Sequence, residues 1–164
     1  MLNYLYKKMD LTKYNSYLVS QLQSSQKSNT PEFTFENGLT KLVKVIDVYD
    51  GDTITVAMNI QSDDTMNLVY LPKMVHQFRI RMHGYNTEEI RQPKDDPDRE
   101  KKKEWALYQR DWVVERLLNK IVLLECLGYD KYGRILGKVY LDSNKQECIN
   151  DIIVSSGVAS KFNY

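Results

Sequence analysis

Between Lys41 and Met58 the chain alternates apolar and polar residues on either side of one tight break, and this pattern constrains the fold most. Lys41 to Val48 has β-branched alternation; beyond the break Ile54, Val56 and Met58 alternate with Thr53 and Thr55. A period of two puts one set of side chains on a buried face and the other in solvent. Asp50-Gly51 is ordinary hairpin-turn chemistry, so the two runs are expected to pair. Yet VYDGDTITV carries a second carboxylate, Asp52, which a turn does not need.

The same alternation returns in HQFRIRMHGY, where Phe78, Ile80 and Met82 face one way and Arg79, Arg81 and His83 the other. QSDDTMN before it is a turn, and LVYLPKMV a short strand or loop stopped by Pro72. Gly84 to Asp98, with two prolines and many charges, is expected to be a surface loop. Asp98 is a candidate cap for a helix over Arg99 to Asn119. Trp105, Tyr108, Trp112 and Val113, with Ala106 and Leu117, would make its broad apolar stripe, and Lys101 to Lys103 a solvated face. IVLLECL is expected to be a buried strand, YDKYGRI a turn, LGKVYL a strand, and Ile149 to Ser156 a helix capped by Gly157. Residues 1–36 differ: Leu2, Leu5, Tyr6 and Met9, then Leu11, Tyr14, Leu18 and Leu22, keep helical spacing, and QSSQKSNTPEF links them to the rest. The predicted organisation is a helical arm and linker over 1–36 and a domain over 37–164. Five short strands with one long helix between the third and fourth suit an α+β chain built on an OB-fold barrel with a C-terminal helix.

The formal net charge is only +1, so bulk charge predicts no non-specific binding to DNA, and any anion site must be local. Cys126 and Cys148 have neither metal-ligand spacing nor a disulfide framework. No run approaches the ~18 apolar residues of a membrane span, and the apolar part of MLNYLYKKM is too short for a signal-peptide core. The expected compartment is intracellular (cytoplasmic) and reducing, with no membrane partner.

Three clusters could carry chemistry. In Asp50-Gly51-Asp52-Thr53, two carboxylates two residues apart offer hard oxygens of the kind Ca²⁺ or Mg²⁺ takes; a plain hairpin turn is the alternative. It is not an EF-hand, since Tyr49 and Gly51 fall where Asp47 as first ligand would require oxygen donors. In Arg81 to Glu89, a strand delivers an arginine and the following loop returns amide and carboxylate oxygens; a surface ion pair of Arg81 with Glu89 would be the bland account. In Asp130-Lys-Tyr-Gly-Arg134 a glycine turn presents a second arginine. Together they have the parts of phosphodiester hydrolysis: oxygen ligands for a divalent cation, a base for water, and guanidinium forks for a phosphate.

In this order the clusters resemble the staphylococcal-nuclease-like (thermonuclease) family. Its pattern is a DGDT-type turn, then R-x-x-G-x-D-x-P-E, then D-x-Y-G-R, then a closing V-N-x-x-L-V-x-x-G-x-A helix, here INDIIVSSGVA from Ile149 to Ala159. The likeness runs from about residue 40 to 160. It implies an OB barrel and a Ca²⁺-dependent endonuclease that cleaves the 5′ P–O bond of DNA and RNA, single strands preferred, with little sequence preference. Carried over by position, it makes Asp52 a direct ligand with Asp50 close behind. Asn86 and the Thr87 carbonyl would be the next ligands. Glu89 would activate water, Arg81 and Arg134 would grip the phosphate, and Lys131 and Tyr132 would contact the nucleotide.

Two positions depart from the pattern. Asn86 replaces an aspartate, so metal affinity should fall, and the Mg²⁺/Ca²⁺ preference could shift with it. Glu88 replaces a proline, which loosens the loop and offers a charge in exchange for the one lost. A family helix beyond the barrel is not expected past Tyr164, and the arm is the candidate for its space. Two rivals to the enzyme are an OB module that binds single strands or a protein without cleaving, and a scaffold whose arm docks a protein partner.

Overall fold

The computed structural model describes residues 16, 20, 23–26, 28, 35, 37–59 and 75–163. The expected arm, apart from those positions, lies outside the described residues, as do the turn and strand or loop expected before Val75. The chain divides into two units, Met1–Thr34 and Phe35–Tyr164, and the second holds the barrel. Its elements are β1 (Leu39–Val48), β2 (Thr53–Asn59), β3 (Val75–Met82), β4 (Tyr85–Asn86), α1 (Arg99–Leu117), β5 (Ile121–Tyr129), β6 (Ile135–Tyr140), α2 (Ile149–Ser155) and β7 (Ser160–Lys161).

Five strands close in the order β1-β2-β3-β6-β5, and β4 pairs with β7 in a separate two-stranded sheet. Among the barrel pairs described, only β3 and β6 run parallel. This is the expected α+β barrel of OB type, with the long helix between its third and fourth strands. Closure depends on β1, which pairs with β5 through Leu39 to Lys44 and with β2 through Val43 to Val48. A register shift between Val45 and Asp47 bends it from one neighbour to the other. At that bend the Val45 N–H donates to the Lys120 carbonyl (3.0 Å) and its carbonyl accepts from the Asn119 N–H (2.9 Å), which ties the end of α1 to the barrel.

α1 buries Ala106, Gln109, Val113 and Leu117, a stripe narrower than expected. Trp105 and Tyr108, predicted to be part of it, are 43% and 52% exposed and stack on one another at 5.1 Å. Each is one residue, about 100° of helix rotation, from a buried position. The helix stops at Leu117, two residues short of the expected Asn119, because Leu118 turns extended (ψ 132°) and Asn119 is left-handed (φ 64°). Asp98 occupies the N-cap position but makes no side-chain cap bond. Its φ and ψ of −95° and 14° are not the extended geometry of a capping residue. The Asp96 carboxylate orders this entry instead, accepting from the Asp98 N–H (2.9 Å) and pairing with Lys102 (2.6 Å).

IVLLECL is buried on one face only: Val122, Leu124 and Cys126 point inward while Ile121 is 66% exposed, because one side of a barrel wall meets solvent. The predicted C-terminal helix forms. Gly157, with φ 73°, closes it through its own N–H to the Val154 carbonyl and the Val158 N–H to that of Ile153. Both cysteines are free and buried. Among the described residues no helix is long and apolar enough to cross a membrane.

Candidate phosphodiester site

The Asp-Gly turn is built to hold its second carboxylate. One oxygen of Asp50 accepts the Asp52 N–H (3.1 Å), and the Tyr49 N–H reaches the Thr53 carbonyl (3.0 Å). Gly51 is not left-handed; its reason is proximity, since a Cβ there would lie 2.6 Å from the Thr87 methyl. Beneath the turn the fully buried Tyr85 donates its hydroxyl to the Gly51 carbonyl (2.8 Å).

Asp52 is thereby fixed among donors. Its Oδ1 accepts the Thr53 hydroxyl (3.1 Å); its Oδ2 accepts the Thr87 N–H (3.1 Å) and hydroxyl (3.2 Å) and faces Arg81 Nη2 at 3.2 Å. The ladder explains the ion pair, because Thr53 and Arg81 are direct partners across β2 and β3. Arg81 is buried, donates from Nη1 to the Met82 carbonyl (2.9 Å), and donates from Nη2 to Asn86 Oδ1. Its ionic partner is therefore Asp52, not Glu89.

Arg134 arrives from the β5–β6 turn. Asp130 organises that turn, accepting the N–H groups of Tyr132 (2.8 Å) and Arg134 (2.9 Å) on one oxygen and Arg134 Nε (2.6 Å) on the other. Partial burial pushes the Asp130 carboxyl up, but these donors outweigh it and hold the group below its ordinary value. Arg134 Nη1 then donates to the Thr53 hydroxyl oxygen (3.1 Å), so Thr53 joins Arg134 to Asp52. Lys131 Nζ and Arg134 Cζ lie 5.0 and 5.5 Å from the centroid of the Tyr132 ring. A cleft of about 490 Å³ opens between Arg81, Asn86, Lys131, Tyr132, Arg134 and Phe162.

The electrostatics concentrate on Asp50. It is 5% exposed, and burial first, then the charge of Asp52, push its carboxyl up to about 6. The Glu89 charge adds to that rise, although Glu89 itself is exposed. Among the described residues no three His, Cys, Asp or Glu side chains gather as a metal cluster. The oxygens gathered there are two repelling buried carboxylates on one turn, the Asn86 amide and the Thr87 hydroxyl. Such a set fits a divalent cation by donor chemistry, since neutralising the Asp50–Asp52 repulsion is what a cation would do.

The structure thus gathers Asp50, Asp52, Arg81, Asn86, Thr87 and Arg134 and places Lys131 and Tyr132 on the cleft wall. Glu89 reaches the group only through its charge, and Thr87 meets Asp52 through its N–H and hydroxyl. Sequence reasoning gave no role to Thr53, Tyr85, Asp130 or Gln109. Asp130 could have been found from its i,i+4 spacing to Arg134; a buried tyrosine under a turn leaves no such signal.

A family model described as staphylococcal nuclease homologue matches residues 79–164, 86 of the 164 residues. The chain belongs to the staphylococcal nuclease homologue family. The matched stretch holds Arg81, Asn86 to Glu89, Arg134 and the closing helix. The Asp50–Thr53 turn precedes it and joins the site through geometry alone. A search of curated proteins finds no match to the chain. A domain of this family is compatible with nucleic-acid binding.

Proposed function

We propose that this nuclease homologue is a metal-dependent phosphodiesterase that cleaves DNA and RNA endonucleolytically, single strands preferred. One observation carries the reading: Arg81 from β3 and Arg134 from the β5–β6 turn converge on Asp52-Thr53 and line one cleft. Planar guanidinium forks suit a phosphate better than point charges do, and both are oriented before substrate arrives. The open cleft and the exposed Tyr132 ring, 72% accessible, favour an unpaired strand whose base can stack.

Asp50, Asp52, Asn86 and the Thr87 carbonyl would hold Ca²⁺, or Mg²⁺, and the cation would polarise a phosphoryl oxygen. In the reaction Glu89 accepts the proton of the attacking water, whose oxygen bonds to phosphorus. The 5′ P–O bond breaks with its electron pair on the leaving oxygen, which takes a proton from solvent, giving a 5′-hydroxyl and a 3′-phosphate. Arg81 and Arg134 stabilise the charge gathered on the phosphoryl oxygens. The test is incubation of the purified protein with single-stranded DNA in Ca²⁺, in Mg²⁺ and in chelator. Metal-dependent fragments ending in 3′-phosphate are expected, and their absence in both metals refutes the reading. A second reading, an OB module that binds strands without cleaving them, has in its favour the lack of a third carboxylate or histidine beside Asp50 and Asp52 among the described residues. Retained binding with intact strands would establish it.

A further inference from the structure

The buried stripe of α1 is apolar except at Gln109, which is 3% exposed. An amide in such a place costs free energy unless both of its ends are bonded. Both are: Oε1 accepts the Glu88 N–H (2.8 Å), and Nε2 donates to the Val158 carbonyl (2.6 Å). The partners settle the amide's orientation, since one offers only a donor and the other only an acceptor. They also explain the residue, because methionine or leucine would fill the space and bond to neither, whereas glutamate would set a carboxylate against the Val158 carbonyl.

The two partners border the Asn86–Thr87 segment, Glu88 in sequence and Val158 through the strand it leads into. Glu88 precedes Glu89 in an exposed loop with no strand pairing of its own. Val158 leads into β7, whose Ser160 pairs with Asn86 of β4, and the Phe162 N–H beyond it donates to the Gly84 carbonyl (2.9 Å). Thr87, which holds Asp52, is therefore tied on one side by the β4–β7 ladder and on the other by Gln109. The peptide of Glu88 is the last point held from the protein interior before the chain reaches Glu89.

We propose that Gln109 is a positioning residue for Glu89, acting through the Glu88 peptide to fix where the loop presents its carboxylate. The inference rests on the role given to Glu89 above. It predicts an effect on turnover rather than on binding, because Arg81, Arg134 and Tyr132 are held by other contacts. Gln109→Met keeps the helix and the side-chain volume while removing both bonds. Turnover on single-stranded DNA should fall by about 10- to 100-fold, as loss of a supporting residue does, with KM changed by less than about two-fold. In a Glu89→Ser background the same substitution should have no further effect. Val113→Ala, a neighbour on the same stripe, supplies a control of similar stability loss and should leave turnover near wild type. Equal losses in the two backgrounds, or the same loss in the control, would overturn the proposal.

Hydrogen exchange separates this idea from the nuclease reading itself. The Glu88 amide should be protected in the wild type and exchange at least about tenfold faster in Gln109→Met. Gln109→Ala, which also removes both bonds and adds no bulk, should speed the exchange likewise and serves if the methionine variant does not fold. Unchanged Glu88 exchange in Gln109→Met refutes the tie whatever the activity. Altered exchange in a protein that never cleaves DNA would instead refute the nuclease reading and, with it, the role for Glu89.

Discussion

Replacing Asp50 by asparagine should stabilise the barrel at neutral pH and do nothing at low pH. The substitution keeps an Oδ1 to accept the Asp52 N–H, at 3.1 Å in the native turn, and removes only the charge. Burial and Asp52 raise the Asp50 carboxyl from 3.8 to about 6 in the folded protein. For a raised carboxyl, the native state retains a proton that the unfolded chain has given up. Its stabilising contribution is full below about pH 3.8 and is lost as pH climbs through about 6. Above that the native state carries an ionised, buried Asp50 at a cost of at most about 3 kcal/mol.

The Asp50→Asn variant never carries this cost. In chelator, urea unfolding at pH 8 should show it more stable than wild type by up to about 3 kcal/mol, and the difference should shrink towards zero by pH 4. A thermal midpoint higher by roughly 5–10 °C at pH 8 is the corresponding signal for a domain of this size. The chelator matters, because a bound cation would relieve the same repulsion and hide the gain. A variant no more stable than wild type at pH 8, or equally favoured at pH 4 and pH 8, would refute the account of Asp50 as an electrostatically strained member of the turn.

Three other changes probe the frame around the site. Gly51→Ala drives a methyl to 2.6 Å from the Thr87 methyl and should cost about 1–3 kcal/mol in urea; Thr87→Ser, which deletes the opposing methyl and keeps the hydroxyl, should restore most of it. Tyr132→Ala should weaken binding of a single-stranded oligonucleotide in chelator by about 1–3 kcal/mol, the usual worth of one stacked base, measured by fluorescence anisotropy. Asn150→Leu removes one acceptor and two donor contacts, to the Val139 N–H and the His83 and Gly137 carbonyls. It should cost about 1–3 kcal/mol in thermal unfolding, because the buried Val139 N–H loses its acceptor and the His83 carbonyl its donor, while the Gly137 carbonyl keeps the His83 N–H.

The barrel was legible because its strands alternate with period two and its long helix starts after a proline-rich loop; both patterns come from neighbours in sequence. The inner boundary of α1 was not, because its end is decided by Val45, more than seventy positions earlier, whose backbone takes the Asn119 N–H. Trp105 and Tyr108 misled for a related reason: aromatic bulk signals burial only when a partner surface covers that arc of the helix. In the site, the charged residues given a role were found, but of those that hold them only Asp130 carries a charge, and none was given a role. Tyr85 and Gln109 do their work through bonds to backbone, and Thr53 is a neutral hydroxyl bridging Asp52 and Arg134; neutral side chains leave no trace in charge patterning. Gly51 was read as turn chemistry alone, whereas what excludes a side chain there is the approach of the Thr87 methyl at 2.6 Å.

Asn86 is where sequence and geometry bear on one another most closely. Its Oδ1 accepts from Arg81 Nη2, the same nitrogen that faces Asp52 at 3.2 Å. An aspartate at this position would give the guanidinium a second carboxylate and leave it less charge to offer a phosphate. On the proposed reading the asparagine keeps the oxygen and spares that neutralisation, which would favour a phosphate at the expense of a cation. Asn86→Asp should therefore move the two affinities in opposite directions. Calorimetry in the absence of nucleotide should show Ca²⁺ binding tightened on the order of 10- to 100-fold, since each added carboxylate charge a few ångströms from a cation counts strongly in a partly buried site. In chelator, binding of a phosphate-bearing nucleotide should weaken by a few-fold. If both affinities rise together, Arg81 is not shared between the metal side and the phosphate side, and the cleft would have to be read as two independent sites.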